Sequence, residues 1–149
     1  MSHEVKQTMK LNAEPETVFQ ALSDAAQLVK WFPSKAESDP RPDGRLRLEW
    51  EFKETEKNGF QESQYTNVIE NELLAYTWDA SGQTTEVTIR LSPDGSGTEL
   101  ALTHMGWEPG MDEAAEMHGQ IWSGYLQNLK MYLEEGGDMR AEAMGQVTY

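Results

Sequence analysis

The stretch from Met111 to Glu135, MDEAAEMHGQIWSGYLQNLKMYLEE, constrains this chain more than any other. Advanced at about 100° per residue, it gathers Ile121, Ala114, Tyr132, Tyr125, His118, Met111, Leu129, Trp122, Ala115, Leu133 and Leu126 on one arc. Asp112, Glu113, Glu116, Gln120, Ser123, Gln127, Lys130 and Glu134 take the other side. The arc spans roughly 140°, the width of a helix laid across a core and too wide for a coiled-coil seam. So long a helix, so aromatic on one face, needs a broad apolar surface beneath it.

The preceding sequence can supply that surface. Between Arg45 and Phe52 the period is two: Leu46, Leu48, Trp50 and Phe52 face one way and four charges face the other. That is a strand of a sheet with one wet face. A weaker strand at Lys35–Asp39 runs into the turn Pro40-Arg41-Pro42-Asp43-Gly44. Further strands are expected at Gln61–Ile69, Leu73–Trp78, Thr84–Leu91 and Thr98–Met105, the first after the hairpin signal Lys57-Asn58-Gly59. Their inward residues are Tyr65, Leu74, Tyr76, Trp78, Val87, Ile89, Leu91, Leu100, Leu102 and His104.

Upstream, His3–Leu11 alternates as another strand, and Pro15 suits the first position of a helix bearing Val18, Phe19 and Leu22. Ser23-Asp24 can cap a second short helix, Ala25 to about Phe32, with Leu28, Trp31 and Phe32 on its apolar face and Pro33 as its stop. Gly136-Gly137 ends the long helix. The expectation is one α+β domain over residues 1–135, with about six to seven antiparallel strands, and a flexible tail over 136–149.

Twelve Lys+Arg against 26 Asp+Glu leave a net charge of −14. Such a field repels phosphate backbones and anionic lipid, so neither nucleic acid nor a membrane is expected as partner. A halophilic origin would account for the acidity equally well. No apolar run approaches a membrane span and no signal pattern opens the chain, which points to the cytoplasm. The lack of cysteine excludes disulfides and thiolate zinc sites. Seven of the twelve basic residues fall between Lys30 and Lys57. They read as solvated outer faces, or alternatively as a docking patch for an acidic partner. Outward faces this charged suit a monomer or a weak homodimer.

Several segments together resemble the helix-grip, START-like (SRPBCC) superfamily, in particular the activator of heat-shock protein 90 ATPase homologue-like family. They are Ala13–Asp24, Leu28-Val29-Lys30-Trp31-Phe32-Pro33, Arg41–Leu46, Leu74-Ala75-Tyr76-Thr77-Trp78, Gly97–His104, and His118-Gly119-Gln120-Ile121-Trp122 followed by Leu126, Leu129 and Leu133. The resemblance implies a curved antiparallel sheet gripping the long helix, with a cavity for an apolar molecule between them. Two departures stand out. The family usually has Gly where Ile121 precedes the helix Trp, which narrows the cavity. The segment after Trp31 is short, which leaves the mouth less covered.

Trp31, Leu48, Trp50, Tyr65, Tyr76, Trp78, His104, Trp107, His118, Ile121 and Tyr125 are the expected lining of such a site. Aromatic walls with few polar groups suit a small apolar ligand, while the same residues can also simply fill a core. His104 and His118 point into one apolar space and need partners, for which Tyr76, Tyr125 or a backbone carbonyl are the candidates. Alternatively they orient a ligand's polar end, or act as acid and base. Trp107, in the loop Gly106–Gly110, is a gate or a plug. The three histidines lack metal-ligand spacing, no G-x-S-x-G occurs, and Gly95-Ser96-Gly97 reads as a turn. Neither metal, cofactor nor catalytic residue is expected. The leading reading is a carrier or sensor of a small hydrophobic or aromatic molecule. The alternatives are a co-chaperone-like activator of a heat-shock ATPase, and a cyclase or hydratase using His104 and His118.

Overall fold

The computed structural model describes residues 4–32, 35–50, 59–80 and 83–136. Its strands are β1 (Val5–Leu11), β2 (Lys35–Ser38), β3 (Arg45–Trp50), β4 (Gly59–Ile69), β5 (Leu73–Ala80), β6 (Gln83–Asp94) and β7 (Gly97–Met105). Helices α1 (Pro15–Ser23) and α2 (Ala25–Leu28) separate β1 from β2, and α3 (Asp112–Glu135) follows β7. The strands form one sheet of order β1-β7-β6-β5-β4-β3-β2. Every neighbouring pair is antiparallel, as turns this short require. Among the described residues no helix is long and apolar enough to cross a membrane.

Paired residues share a face, so the register carries the alternation across the sheet. Val5 lies opposite His104, His104 opposite Val87, Val87 opposite Tyr76, and Tyr76 opposite Tyr65. That row faces inward, and His104, Val87 and Tyr65 are wholly buried. A bulge between Tyr65 and Asn67 shifts the β4–β5 register, so that Tyr65 and Val68 both face the core although they are an odd three positions apart.

Beyond the Tyr65–Tyr76 pair, side chains take over from the β4–β5 backbone ladder. The Gln64 backbone N–H donates to Thr77 Oγ1 at 3.0 Å. The Gln61 amide accepts from the Asp79 N–H at 3.1 Å and donates to the Asp79 carbonyl. A primary amide can imitate a peptide unit in this way, having one acceptor and two donors.

α3 lies beside β1 and runs in the same direction. Gln7 donates to the Gly119 carbonyl near the middle of the helix. Farther along, Lys130 donates to the Lys10 carbonyl and the Asn12 N–H to Glu134. Gly136 ends the helix at φ 69°, a left-handed conformation that costs glycine little.

The structure departs from the sequence expectation at α2, which stops at Leu28 and does not reach Phe32. Asp24 caps it, accepting from the Gln27 N–H at 3.2 Å, whereas Ser23 Oγ turns back onto the Phe19 carbonyl. After Leu28 the chain tightens: the Lys30 and Trp31 N–H groups bond three residues back, to Gln27 and Leu28. The tighter winding lets both aromatics enter the core, and Trp31 Nε1 reaches the Ala21 carbonyl at 2.9 Å. β6 is longer than expected and continues through Pro93, which lies opposite Thr98 beside the closing turn. The hairpin signal at Lys57-Asn58 and the expected inward Phe52 lie outside the described residues, as do residues 137–149 of the expected tail.

Candidate functional site

Where α3 passes over β5, β6 and β7, His104 is held from two sides. Trp122 Nε1 donates to His104 Nδ1 at 3.1 Å. An indole nitrogen only donates, so Nδ1 bears the lone pair and the ring proton sits on Nε2. Nε2 therefore donates to Thr85 Oγ1 at 2.6 Å, and the Thr85 hydroxyl passes its own proton to the Trp78 carbonyl at 2.8 Å. Trp107, in the loop before α3, donates to the His104 carbonyl at 3.1 Å and lies 4.6 Å from its ring. Burial pushes the imidazole pKa down from 6.5 to about 3, with neighbouring His118 adding to the fall. His104 is thus a neutral crosspiece of the core. Its partners are Thr85 and Trp122, not the tyrosines considered from sequence.

A run of aromatic contacts leads from this crosspiece across the inner face. Trp78 lies 5.3 Å from Trp122 and 6.2 Å from Tyr76, and Tyr76 meets Tyr65 edge-on at 5.9 Å. Phe32 stacks on Trp31 at 5.0 Å and meets Tyr125 edge-on at 4.8 Å. Tyr65 shares a hydrogen bond of 2.8 Å with Ser38 Oγ. Burial raises both phenols, Tyr65 to about 12, so both stay protonated. Leu48 belongs to the same buried face. Trp50 ends β3 opposite Gly59, and its side chain lies outside the described residues.

His118 differs from His104. Its Nδ1 meets the Ala114 carbonyl at 2.8 Å; a carbonyl only accepts, so Nδ1 carries the proton. In the neutral ring Nε2 is then an acceptor, and no protein group among the described residues takes it up. The ring stands edge-on to His104 at 5.5 Å and 5.1 Å from Trp107, yet it is only half-buried.

That half-burial belongs to one side of the helix. Met111, Ala114 and Ile121 are also half-covered, and Met117 just beyond the arc is 58% exposed. One and two turns later the cover is complete: Tyr125, Leu126, Asn128 and Leu129 are buried. The difference comes from the segment around Trp31, whose carbonyl accepts from Asn128 Nδ2 at 2.8 Å. α3 is clamped through its middle, from Trp122 to Leu129; one flank is half-covered before that stretch, and Tyr132 and Leu133 are half-covered after it.

Thr85, Asn128 and Ser63 were not singled out from sequence. Thr85 has the inward parity of Val87 and Ile89, a readable signal. Ser63, likewise inward and 5% exposed, has no hydrogen-bond partner for its hydroxyl. The described residues contain no group of three metal-ligating side chains.

A curved antiparallel sheet around a long C-terminal helix, with two short helices after the first strand, defines the helix-grip class of the START-like (SRPBCC) superfamily. Within it the chain belongs to the family described as activator of Hsp90 ATPase homolog 1-like protein, whose sequence model matches residues 12–134. Similar solved structures include protein MLL2253 of Mesorhizobium loti, with 21% identity and TM-score 0.78 over 91% of this chain and 99% of that one. The Aha1 dimer of Colwellia psychrerythraea is 22% identical, with TM-score 0.75 over 90% and 98% of the two chains. Protein CV1439 of Chromobacterium violaceum is 24% identical, with TM-score 0.77 over 88% and 97%. Likeness at these identities speaks to the fold alone. No curated protein is similar enough in sequence to count as a relative.

Proposed function

We propose that this protein is a cytoplasmic carrier or sensor. It binds a small hydrophobic or aromatic molecule between the open flank of α3 and the inner face of the sheet, and performs no chemistry on it. The observation that carries this reading is the half-covered flank of α3 at Met111, Ala114, His118 and Ile121, beside buried Ala115 and ahead of the stretch from Trp122 to Leu129 that is fully covered; Tyr132 and Leu133 at the far end are half-covered too. Half-covered apolar side chains on one flank are surface that a small apolar molecule can cover. The inner face of the sheet carries Tyr65, Tyr76 and Trp78, buried against one another and against Trp122, and a ligand seated beside them would meet wide apolar rings. Catalysis is disfavoured because both ring nitrogens of His104 are engaged and its pKa lies far below neutrality. Native mass spectrometry on protein purified from its own cells is expected to show a retained apolar molecule. The reading fails if no such mass is found and Trp fluorescence is indifferent to flat apolar ligands.

Family membership favours one second reading, a co-chaperone-like partner of a heat-shock ATPase. Its surface would include the exposed basic residues Lys30, Lys35, Arg41 and Arg45. Co-purification of the ATPase together with stimulated ATP turnover would establish it; absence of both removes it.

A further inference from the structure

The ligand-binding reading leaves the polar end of the ligand unspecified, and hydrogen-bond accounting narrows it. The His118 ring is half-buried beside Trp107 and His104, and in its neutral form Nε2 is an acceptor because Nδ1 donates to the Ala114 carbonyl. Ser63 Oγ is buried on the inner face with no protein partner. Ser63 lies two residues before Tyr65 on β4, opposite Leu46 of β3. Buried polar groups are seldom left unmatched, because each costs stability until something bonds it. The surrounding charge points the same way. With a net −14 on the chain, and Asp112, Glu113 and Glu116 in the first turns of α3, an anion would be repelled.

We propose that the open flank of α3 selects an uncharged aromatic molecule bearing a hydroxyl or N–H group, which donates its hydrogen bond to His118 Nε2. Carboxylates are excluded twice, having no proton to give and meeting an acidic field, and phosphates are excluded by the field. The Trp107 ring, 5.1 Å from His118, shields one side of that bond from water, so the bond counts for more than it would in bulk solvent.

The proposal rests on the binding reading, and three probes separate the two: 2-naphthol, 2-methoxynaphthalene and 2-naphthoate, followed by Trp fluorescence and calorimetry. The first two share an aromatic skeleton and differ in the donor. 2-Naphthol is expected to bind about tenfold more tightly than its methyl ether, the usual worth of one good hydrogen bond, and naphthoate not measurably. His118→Phe should bring the naphthol affinity down to that of the ether, and His118→Gln, which keeps an acceptor, should retain part of the preference. Both variants sit at a half-exposed position, and unchanged thermal melts would certify their folding. Equal binding of naphthol and ether overturns this inference while leaving the binding reading intact. So does a naphthol preference that survives in His118→Phe. Binding of none of the three overturns both.

Discussion

Trp122 donates its indole N–H to His104 Nδ1 across 3.1 Å, joining the centre of the long helix to the last strand. The bond requires Nδ1 to be unprotonated, so the core holds a neutral imidazole whose single proton points at Thr85. Adding a second proton would place a charge among Trp78, Trp107 and Trp122 and break the Trp122 bond.

A pH dependence follows from this. The folded pKa of His104 lies near 3 against 6.5 for the ordinary group, burial being the larger cause and His118 the smaller. Above about pH 7 neither state holds the extra proton, and His104 contributes no slope. Between 6.5 and 3 only the unfolded chain takes it up. Stability should fall there by up to about 1.4 kcal/mol per pH unit and level off below the folded pKa. Urea melts at pH 6.5 and 4.5 should differ by about 2–3 kcal/mol more in the wild type than in His104→Gln. Identical pH slopes in the two proteins would mean that His104 is not buried as a neutral group.

Thr85 tests the next link. Its hydroxyl accepts from His104 and donates to the Trp78 carbonyl. Thr85→Val keeps the shape and leaves both groups unpaired in the core. The expected loss is about 2–4 kcal/mol by denaturant titration, since each buried unsatisfied group costs about 1–3 kcal/mol. Thr85→Ser, which keeps the hydroxyl and removes one methyl, should cost about 1 kcal/mol. A loss in Thr85→Val no larger than that in Thr85→Ser would show that the hydroxyl is not holding two otherwise unpaired groups.

Much of this was legible before any coordinates. Period two between Arg45 and Met105 placed Tyr65, Tyr76, Trp78 and His104 on one face, and the apolar arc from Met111 to Glu135 defined α3. Period tells which way a residue faces and leaves open what it meets. The partners of His104 come from β6 and from the middle of α3, 19 and 18 residues away, and only the packed fold brings them together. The apolar arc shows that Trp122 faces the core, and only the packed fold shows that its N–H settles the tautomer of His104. Asn128 escaped because it lies just outside the apolar arc, where polar residues are ordinarily solvated. The short α2 was hidden for a similar reason: the pull of Trp31 and Phe32 into the core overrides local helix preference.

Two glycines separate steric need from backbone conformation. Gly44 opens β3; its N–H bonds the Arg41 carbonyl, and its own carbonyl accepts from Tyr65. A methyl group here would run into the Asp39 carbonyl oxygen, so Gly44→Ala must displace the turn that seats Tyr65, at about 1–3 kcal/mol. Gly95, at φ +61°, has open space around it. Gly95→Ala therefore bears only the left-handed backbone penalty of about 1 kcal/mol. Thermal melts that rank Gly95→Ala as the more damaging would contradict the close approach at Gly44.

Asn128 and Met117 test the clamp on α3. They occupy nearly the same side of the helix, three turns apart, yet Asn128 is fully buried and Met117 is 58% exposed. Asn128 Nδ2 holds the Trp31 carbonyl at 2.8 Å, tying the chain after α2 to the second half of α3. Asn128→Leu fits the apolar surroundings but removes that donor from a buried carbonyl, and should cost about 1–3 kcal/mol in urea unfolding. Met117→Gln, on the open flank, should stay within about 0.5 kcal/mol of the wild type. The site reading adds a sharper demand: Asn128→Leu should leave the relative affinity for 2-naphthol over its methyl ether unchanged, because it sits on the clamped stretch. A loss of that preference would mean that the two stretches of α3 are not independent, and that the clamp itself shapes the ligand site.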